Sequence, residues 1–376
     1  MMMKEMVDIE NRYNQNHCVD GVSFVAYKDR VAKDRLATDD DNALFTGLYL
    51  AAACYRAVAR KIERGSFLDS DLDAVFTALE GITLLTNVSG VPGVLVRQAF
   101  PLEHSWERIG YDPVKSLKSD GNTFGKRILE GRLYHGEFLG DEYAFLTKTT
   151  KDQITGVLFG LSVAFTYIEE TRPIVSDIVS TLWRRMQTTD YSLMDHKNNT
   201  FGSTAHKLDE PLRFCLDTLY RATNPDSPYI PRYKNSWFFN KCVNWIMTLH
   251  YNRFIQNTYT YNLNLLIAHS LRILIGYHDQ QDGVDYWIKR LYRKVENDHN
   301  PHFDILAKSE ISTKGMENLS MRIENPYHKG FCWSRDPEEW FDGCDENAKI
   351  GPSIDALLPY WMNQYIDNYH KQYEEF

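Results

Sequence analysis

The chain has 376 residues, 43% hydrophobic and 25% charged, with 42 Lys and Arg against 51 Asp and Glu for a formal net charge of −9. That length can bury a large core, and the acidic balance excludes a nucleic-acid binder working through a basic face, because neutralising phosphates takes clustered Lys and Arg. The opening MMMKEMVDIENRYNQNHC has no apolar core of signal-peptide length, and no window approaches the ~20 apolar residues of a membrane span. The expectation is a soluble protein with no membrane insertion, cytoplasmic by default. Cys18, Cys54, Cys215, Cys242, Cys332 and Cys344 are far apart, without a CxxC pair or zinc-like Cys/His spacing, so they are expected as free thiols.

Residues 1–37 are polar, and only VSFVAYKD (22–29) alternates like a strand; this stretch is expected to be an entry arm or lid. The chain then changes character at Thr38–Ala57, TDDDNALFTGLYLAAACYRA. Leu44, Leu48, Ala51, Ala52 and Tyr55 repeat at helical spacing, which places Asp39–Asn42 at the cap and first turn of a buried helix. One Asp or Asn is enough to cap a helix. Three acids in a row therefore raise the question of a site at the helix mouth.

Asp69–Thr86 carries a second helical pattern, and the breaker NVSGVPGV ends it, so the two helices form a hairpin. Residues 93–150 are mostly irregular. They hold Arg97, His104 and Trp106, and the tract YHGEFLGDEYAFLTKTT suits a short β-hairpin. Helical patterning resumes at Lys151 and continues over 152–170, 172–188, 203–223, 236–256, 260–277, 284–297 and 351–370, with Pro173 at a first-turn position. No βα alternation appears, so a parallel sheet is not expected. Several helices, such as LNLLIAHSLRILIG, are apolar nearly all round, which implies an inner ring enclosed by an outer one. The predicted fold is all-α, a single (α/α)6 or (α/α)7 toroid over residues 38–376 with short irregular or β-hairpin excursions. No repeat of fixed period supports a solenoid instead.

The blocks DDDNALFTGLYLAAACYRA, VSGVPGVLVRQAFP, TKTTKDQITGVLFGLSVAFTYI, RKVENDHNPHFDIL, GFCWSRDPEEW and IDALLPYWMNQY, spread over residues 38–365, resemble those of a largely uncharacterised bacterial family. Its members carry a D-N-x-x-x-T-G-x-Y-L-A-A helix start and a T-S-x-D-x-x-x-G-x-x-F-G block. That family in turn is similar to the (α/α) toroids of six or seven hairpins, a scaffold of many glycoside hydrolases and polysaccharide lyases. The resemblance implies a carbohydrate-active enzyme, although a scaffold by itself does not fix a reaction.

Three readings of the residues follow. In TTKDQITG, Asp152 stands at the mouth of a helix as Asp41 does, and two carboxylates facing one cleft supply the acid and base of glycosidic hydrolysis, with Asn42 and Lys151 beside them to hold substrate. As plain structure, Lys151 and Asp152 are a first-turn charge and a cap. Gly156 and Gly160 are read as close-packing positions. Alternatively, His250, Tyr251 and Asn252, with Arg97 and His206, supply the base, acid and carboxylate neutraliser that β-elimination of a uronate requires. The third reading is a non-catalytic glycan-binding protein. A sugar ligand of any kind suits the 13% aromatic content, Trp106 included, since ring faces are apolar platforms for sugars. The expected partner is thus an oligo- or polysaccharide. No cofactor and no transition metal are expected, and calcium is left open. His299, His302, Asp298 and Asp304 in VENDHNPHFDIL match no metal spacing and are assigned to a hydrogen-bonded loop at the barrel rim, and CWSRDPEEWFDGC (332–344) to packing of the C-terminal loop.

Overall fold

The computed structural model describes residues 2–24, 26–27, 41–103, 133–147, 149–200, 207–227, 258–275, 281–324, 349–350 and 352–373. Among them are eleven α-helices and a few short strands. In chain order the helices are α1 (Met2–Asn16), α2 (Asn42–Arg64), α3 (Asp69–Asn87), α4 (Lys151–Tyr167), α5 (Arg172–Thr188), α6 (Glu210–Thr223), α7 (Thr258–Ile275), α8 (Gln281–Tyr292), α9 (Pro301–Lys308), α10 (Thr313–Glu324) and α11 (Ile354–Tyr373). The fold is therefore mostly helical, as the periodicity predicts. Of the expected segments, 236–256 lies outside the described residues, and so does 332–344.

Helix α2 is the centre of the packing. Every residue from Asn42 to Ala57 is buried: Leu44, Leu48, Ala51 and Tyr55 share one face at helical spacing, and small side chains at Ala52 and Ala53 let neighbours approach the adjoining sides. It stops at Gly65, whose φ of +84° only glycine adopts readily and whose N–H closes on Lys61 O at 2.7 Å. Against α2 lies α4, at backbone contact. A methyl added to Gly47 would overlap the carbonyl oxygen of Gly156, and one added to Gly160 would overlap that of Gly47. The partners advance in step along both helices: Asp41 meets Gln153, Leu44 meets Gly156, Gly47 meets Gly160 and Tyr55 meets Tyr167. The two helices accordingly run parallel, with their N-termini at one end.

The same in-step relation joins α7 to α9, through Asn262 with His302, His269 with Leu306, and Arg272 with Ser309. From α2 the packing passes to α4, to α7, to α9, to α11 and back to α2, while α3, α5, α8 and α10 each lie against members of that series. Helix α6 contacts α4, α5 and α7.

Among the described residues, three strands belong to the excursion between α3 and α4. β4 (Gln98–Pro101), β5 (Leu133–Phe138) and β6 (Asp141–Leu146) form an antiparallel sheet in the order β4-β6-β5, so the predicted hairpin is present as β5-β6. The short pair β1 (Cys18–Val19) and β2 (Val22–Ser23) follows α1, and β3 (Ala26–Tyr27) pairs with β7 (Lys349–Ile350) ahead of α11.

Two expectations are corrected. The expected entry arm or lid over 1–37 is corrected for residues 2–16, which form α1: Met6, Ile9 and Tyr13 are buried, and α1 packs on α10 and α11. Its Glu10 accepts from Trp361 Nε1 at 2.7 Å and stands 2.9 Å from Arg56, which in turn lies 2.9 Å from Asp71. One buried charge network thus ties α1, α2, α3 and α11 together. The second correction concerns 295–306, expected as a rim loop. Asn300 caps α9 by accepting from His302 N–H at 3.0 Å, and His302 and Asp304 are buried side chains of that helix.

Candidate active site at the mouths of two parallel helices

Asp41 occupies the N-cap position of α2, yet its side chain makes no capping bond to the helix. Its Oδ1 instead accepts from Arg97 Nη2 at 2.7 Å and from Gln153 Nε2. Two donors on one oxygen suit the ionised carboxylate, which only accepts. The plain capping interpretation of Asp41 is therefore set aside in favour of a carboxylate held from two sides.

Each holding group is itself fixed. Gln153 is the fourth residue of the T-x-x-Q start of α4, and its Oε1 accepts from Thr150 N–H at 2.6 Å, which leaves its amide nitrogen pointed at Asp41. Arg97 enters β4 with its N–H on Leu146 O at 2.8 Å and its carbonyl accepting from Ala43 N–H at 3.2 Å. The first turn of α2, the start of β4 and the first turn of α4 are thereby stitched into one unit. The Asp41 and Arg97 side chains remain 24% and 19% exposed, so the pair stands at the surface edge of the unit.

Deeper in the same unit lie two amides that sequence reasoning treats unequally. Asn42 follows Asp41 and Gln98 follows Arg97, and both residues are 0% exposed. Neither the oxygen nor the nitrogen of either amide has a hydrogen-bond partner among the described residues. Asn42 stands among the predicted substrate-binding residues, whereas nothing in the sequence around Gln98 marks it. The T-x-x-Q spacing is a signal that could have marked Gln153 as a capping-box residue, but nothing local signals its reach to Asp41.

Asp152 sits half-buried in the first turn of α4, at the same end as Asp41. Lys151 extends to Asp209 Oδ2 at 3.3 Å, a half-exposed contact that brings the N-cap of α6 to the same mouth. Positive ends of helix dipoles converge there with the carboxylates. Of the sequence candidates, then, Asp41, Asn42, Arg97, Lys151 and Asp152 come together. Trp106, His206, His250, Tyr251 and Asn252 lie outside the described residues. Arg97, a candidate neutraliser for a uronate, has its guanidinium on Asp41.

A second group of buried polar residues lies on α7 to α11. His302 is bonded to Asn262 Oδ1 at 2.6 Å, and burial pushes its pKa down to about 3; His269, placed between Tyr55 Oη at 3.2 Å and Leu306 O at 3.2 Å, is pushed down to about 4, again by burial first. Both rings are neutral near pH 7. Asp304 accepts from Tyr292 Oη at 2.6 Å and Ser312 N–H at 3.0 Å, and Arg322 grips both oxygens of Asp355 at 2.8 and 3.0 Å. These contacts join helices, while Asn262 Nδ2 and Trp287 Nε1 in the same group of helices are buried without a hydrogen-bond partner among the described residues. Among the described residues, no three or more His, Cys, Asp or Glu side chains gather as metal ligands, and no helix is long and apolar enough to cross a membrane.

Comparison with family models, with curated proteins and with solved structures finds no match to this chain. The chemistry of the site rests on its own residues.

Proposed function

We propose that this chain is a carbohydrate-active enzyme built on an (α/α) toroid, hydrolysing glycosidic bonds of an oligo- or polysaccharide at the shared mouth of α2 and α4. The observation that carries the reading is the Asp41 carboxylate, turned away from its own helix and held by Arg97 and Gln153 beside the first-turn Asp152. The toroid is supported by the packing order that returns to α2 and by the two parallel helix pairs.

In this mechanism Asp152, which faces solvent in part, delivers its proton to the glycosidic oxygen as the bond to the anomeric carbon breaks. Asp41, kept ionised and in place by two donors, takes a proton from water that closes on that carbon, or attacks the carbon itself; the separation of the two carboxyl groups with substrate bound decides between inversion and retention. Arg97 and Gln153 act through Asp41 as positioning residues. Lys151, whose side chain is partly exposed, contacts substrate.

The test is incubation with neutral and uronate polysaccharides while following reducing ends and the ultraviolet absorbance of an unsaturated uronate product. Hydrolysis yields reducing ends alone. Asp41→Asn and Asp152→Asn are each expected to lower turnover by about 10²–10⁴-fold with the thermal transition retained. Near-full activity in either variant sinks the carboxylate mechanism. Unsaturated product would instead favour elimination through His250 and Tyr251, and binding without any cleavage would favour a glycan-binding protein.

A further inference from the structure

The two cations at the mouth are held in different ways. Arg97 stands 2.7 Å from Asp41, with the side chains 19% and 24% exposed, and its task is to keep that carboxylate in place. Lys151 opens α4, next to Asp152 and two residues before the Gln153 that meets Asp41. Its Nζ stands 3.3 Å from Asp209 Oδ2, and these side chains are 33% and 50% exposed. Asp209 has separate work as the N-cap of α6, where its Oδ1 accepts from Leu212 N–H at 3.3 Å. The oxygen that meets Lys151 is therefore not the one that starts the helix. An ion pair so open to solvent stabilises little, because screening and the ordering of two side chains offset most of the attraction, so an arriving anion can take the ammonium over. The Asp41–Arg97 pair stays closed throughout.

We infer that Lys151 is the specificity-determining residue of this site, selecting an acidic sugar whose carboxylate or sulfate takes the place of Asp209 on the ammonium. The inference rests on the hydrolase reading for the word sugar, and deepens it by naming the substrate class. A Lys ammonium carries three donors and a full charge, and its hydrogen bonds to an anionic group are about twice as strong as those between neutral groups. A neutral hydroxyl gains less from Lys151 than Asp209 does, so a neutral sugar leaves the pair closed. The anionic group would also lie at the first turn of α4, where the positive end of the helix dipole favours it. Because Asp152 is the next residue, a sugar held by Lys151 is held beside the proton donor of the proposed mechanism.

The experiment uses the full chain with Lys151→Gln, Asp209→Asn and the two combined. Asn is as good an N-cap as Asp, so Asp209→Asn removes the charge and keeps the start of α6. Titration calorimetry is run against neutral, uronate and sulfated oligosaccharides of matched length, and a thermal melt of each variant checks that it is folded. The parent is expected to bind an acidic oligosaccharide, with the uronate and sulfated arms telling which acid it takes. Lys151→Gln should weaken that binding about tenfold or more, and Asp209→Asn should tighten it up to about fivefold, because the ammonium no longer has to leave a partner. Most of the gain should vanish when Asp209→Asn is made in the Lys151→Gln chain, which separates loss of a competitor from mere loss of repulsion. Unchanged acidic-sugar binding in Lys151→Gln, an equal gain from Asp209→Asn in both backgrounds, or a parent that prefers neutral oligosaccharides overturns the inference. Cleavage is read separately. Acidic oligosaccharides bound through Lys151 but never cut to reducing ends defeat the hydrolase and leave the role of Lys151 standing, whereas hydrolysis of neutral oligosaccharides alone keeps the hydrolase and defeats that role. A parent that binds no oligosaccharide overturns both.

Discussion

The mouth of α2 and α4 and the polar interior around α9 to α11 are built from similar residues to opposite ends. In the interior, Arg322 meets Asp355 through two bonds with both side chains about 2% exposed, and Asp304 is met by a tyrosine and a serine. At the mouth, Asn42 and Gln98 are as deeply buried and meet nothing among the described residues. The chain can satisfy buried polar groups where they brace helices. Unsatisfied atoms occur in the interior as well, at Asn262 Nδ2 and Trp287 Nε1, so what sets the interior apart is its fully buried, two-bonded ion pair.

The contrast can be broken hardest in the interior. Arg322→Leu leaves the Asp355 carboxylate buried without its guanidinium and is expected to lower unfolding stability by about 3–5 kcal/mol, measured by urea denaturation; adding Asp355→Leu should restore much of the loss, because a buried pair removed whole is far less costly than one broken. A loss under about 1 kcal/mol for Arg322→Leu would show that the pair does not brace the interior as described. Gly47→Ala is next. The new methyl meets the Gly156 backbone, so a loss of about 1–3 kcal/mol is expected despite alanine's ~1 kcal/mol advantage in a helix. A larger fall in turnover than in stability would show that the spacing of α2 and α4 sets the geometry of Asp41 and Asp152.

A further effect is graded with pH. His17 and His269 are pushed down to about 4 and His302 to about 3, in each case chiefly by burial. Their folded pKa values lie below the ordinary value near 6.5, so the unfolded chain takes up protons first as the solution is acidified. The stability they contribute is complete above about pH 6.5 and is lost as pH falls toward about 4, and for His302 toward about 3, at about 1.4 kcal/mol per pH unit for each ring. His269→Gln should flatten the urea midpoint against pH in that window. An unchanged slope would remove His269 from the buried neutral set.

Much of the helical frame was legible because long amphipathic or apolar runs have a period that no tertiary contact overrides. Asp69–Thr86 and 172–188 fall within a residue or so of α3 and α5, and Gly156 and Gly160 pack where their spacing on one face suggested. Helix α1 was missed because only a thin stripe of Met6, Ile9 and Tyr13 stands among charged residues, and α9 because eight residues are too few for periodicity to outweigh their Asp and His content. Within the candidate site, the helix mouths were readable from caps and acids. The Arg97 to Asp41 pairing, the reach of Gln153 and the isolation of Gln98 depend on how distant segments meet, and no local pattern encodes that.

The pairing of α2 with α11 also sets an order of events during synthesis. Tyr55 leans on Tyr365, Arg60 stands over Trp361, and Asn368 reaches Ala59 O and Glu63, so the last helix covers a flank of the first long one. On the ribosome, at about 5–20 residues per second, tens of seconds separate the emergence of these two helices. Through that interval α2 carries an apolar flank with no cover from its own chain, which makes this helix the segment a chaperone would be expected to grip on the nascent protein.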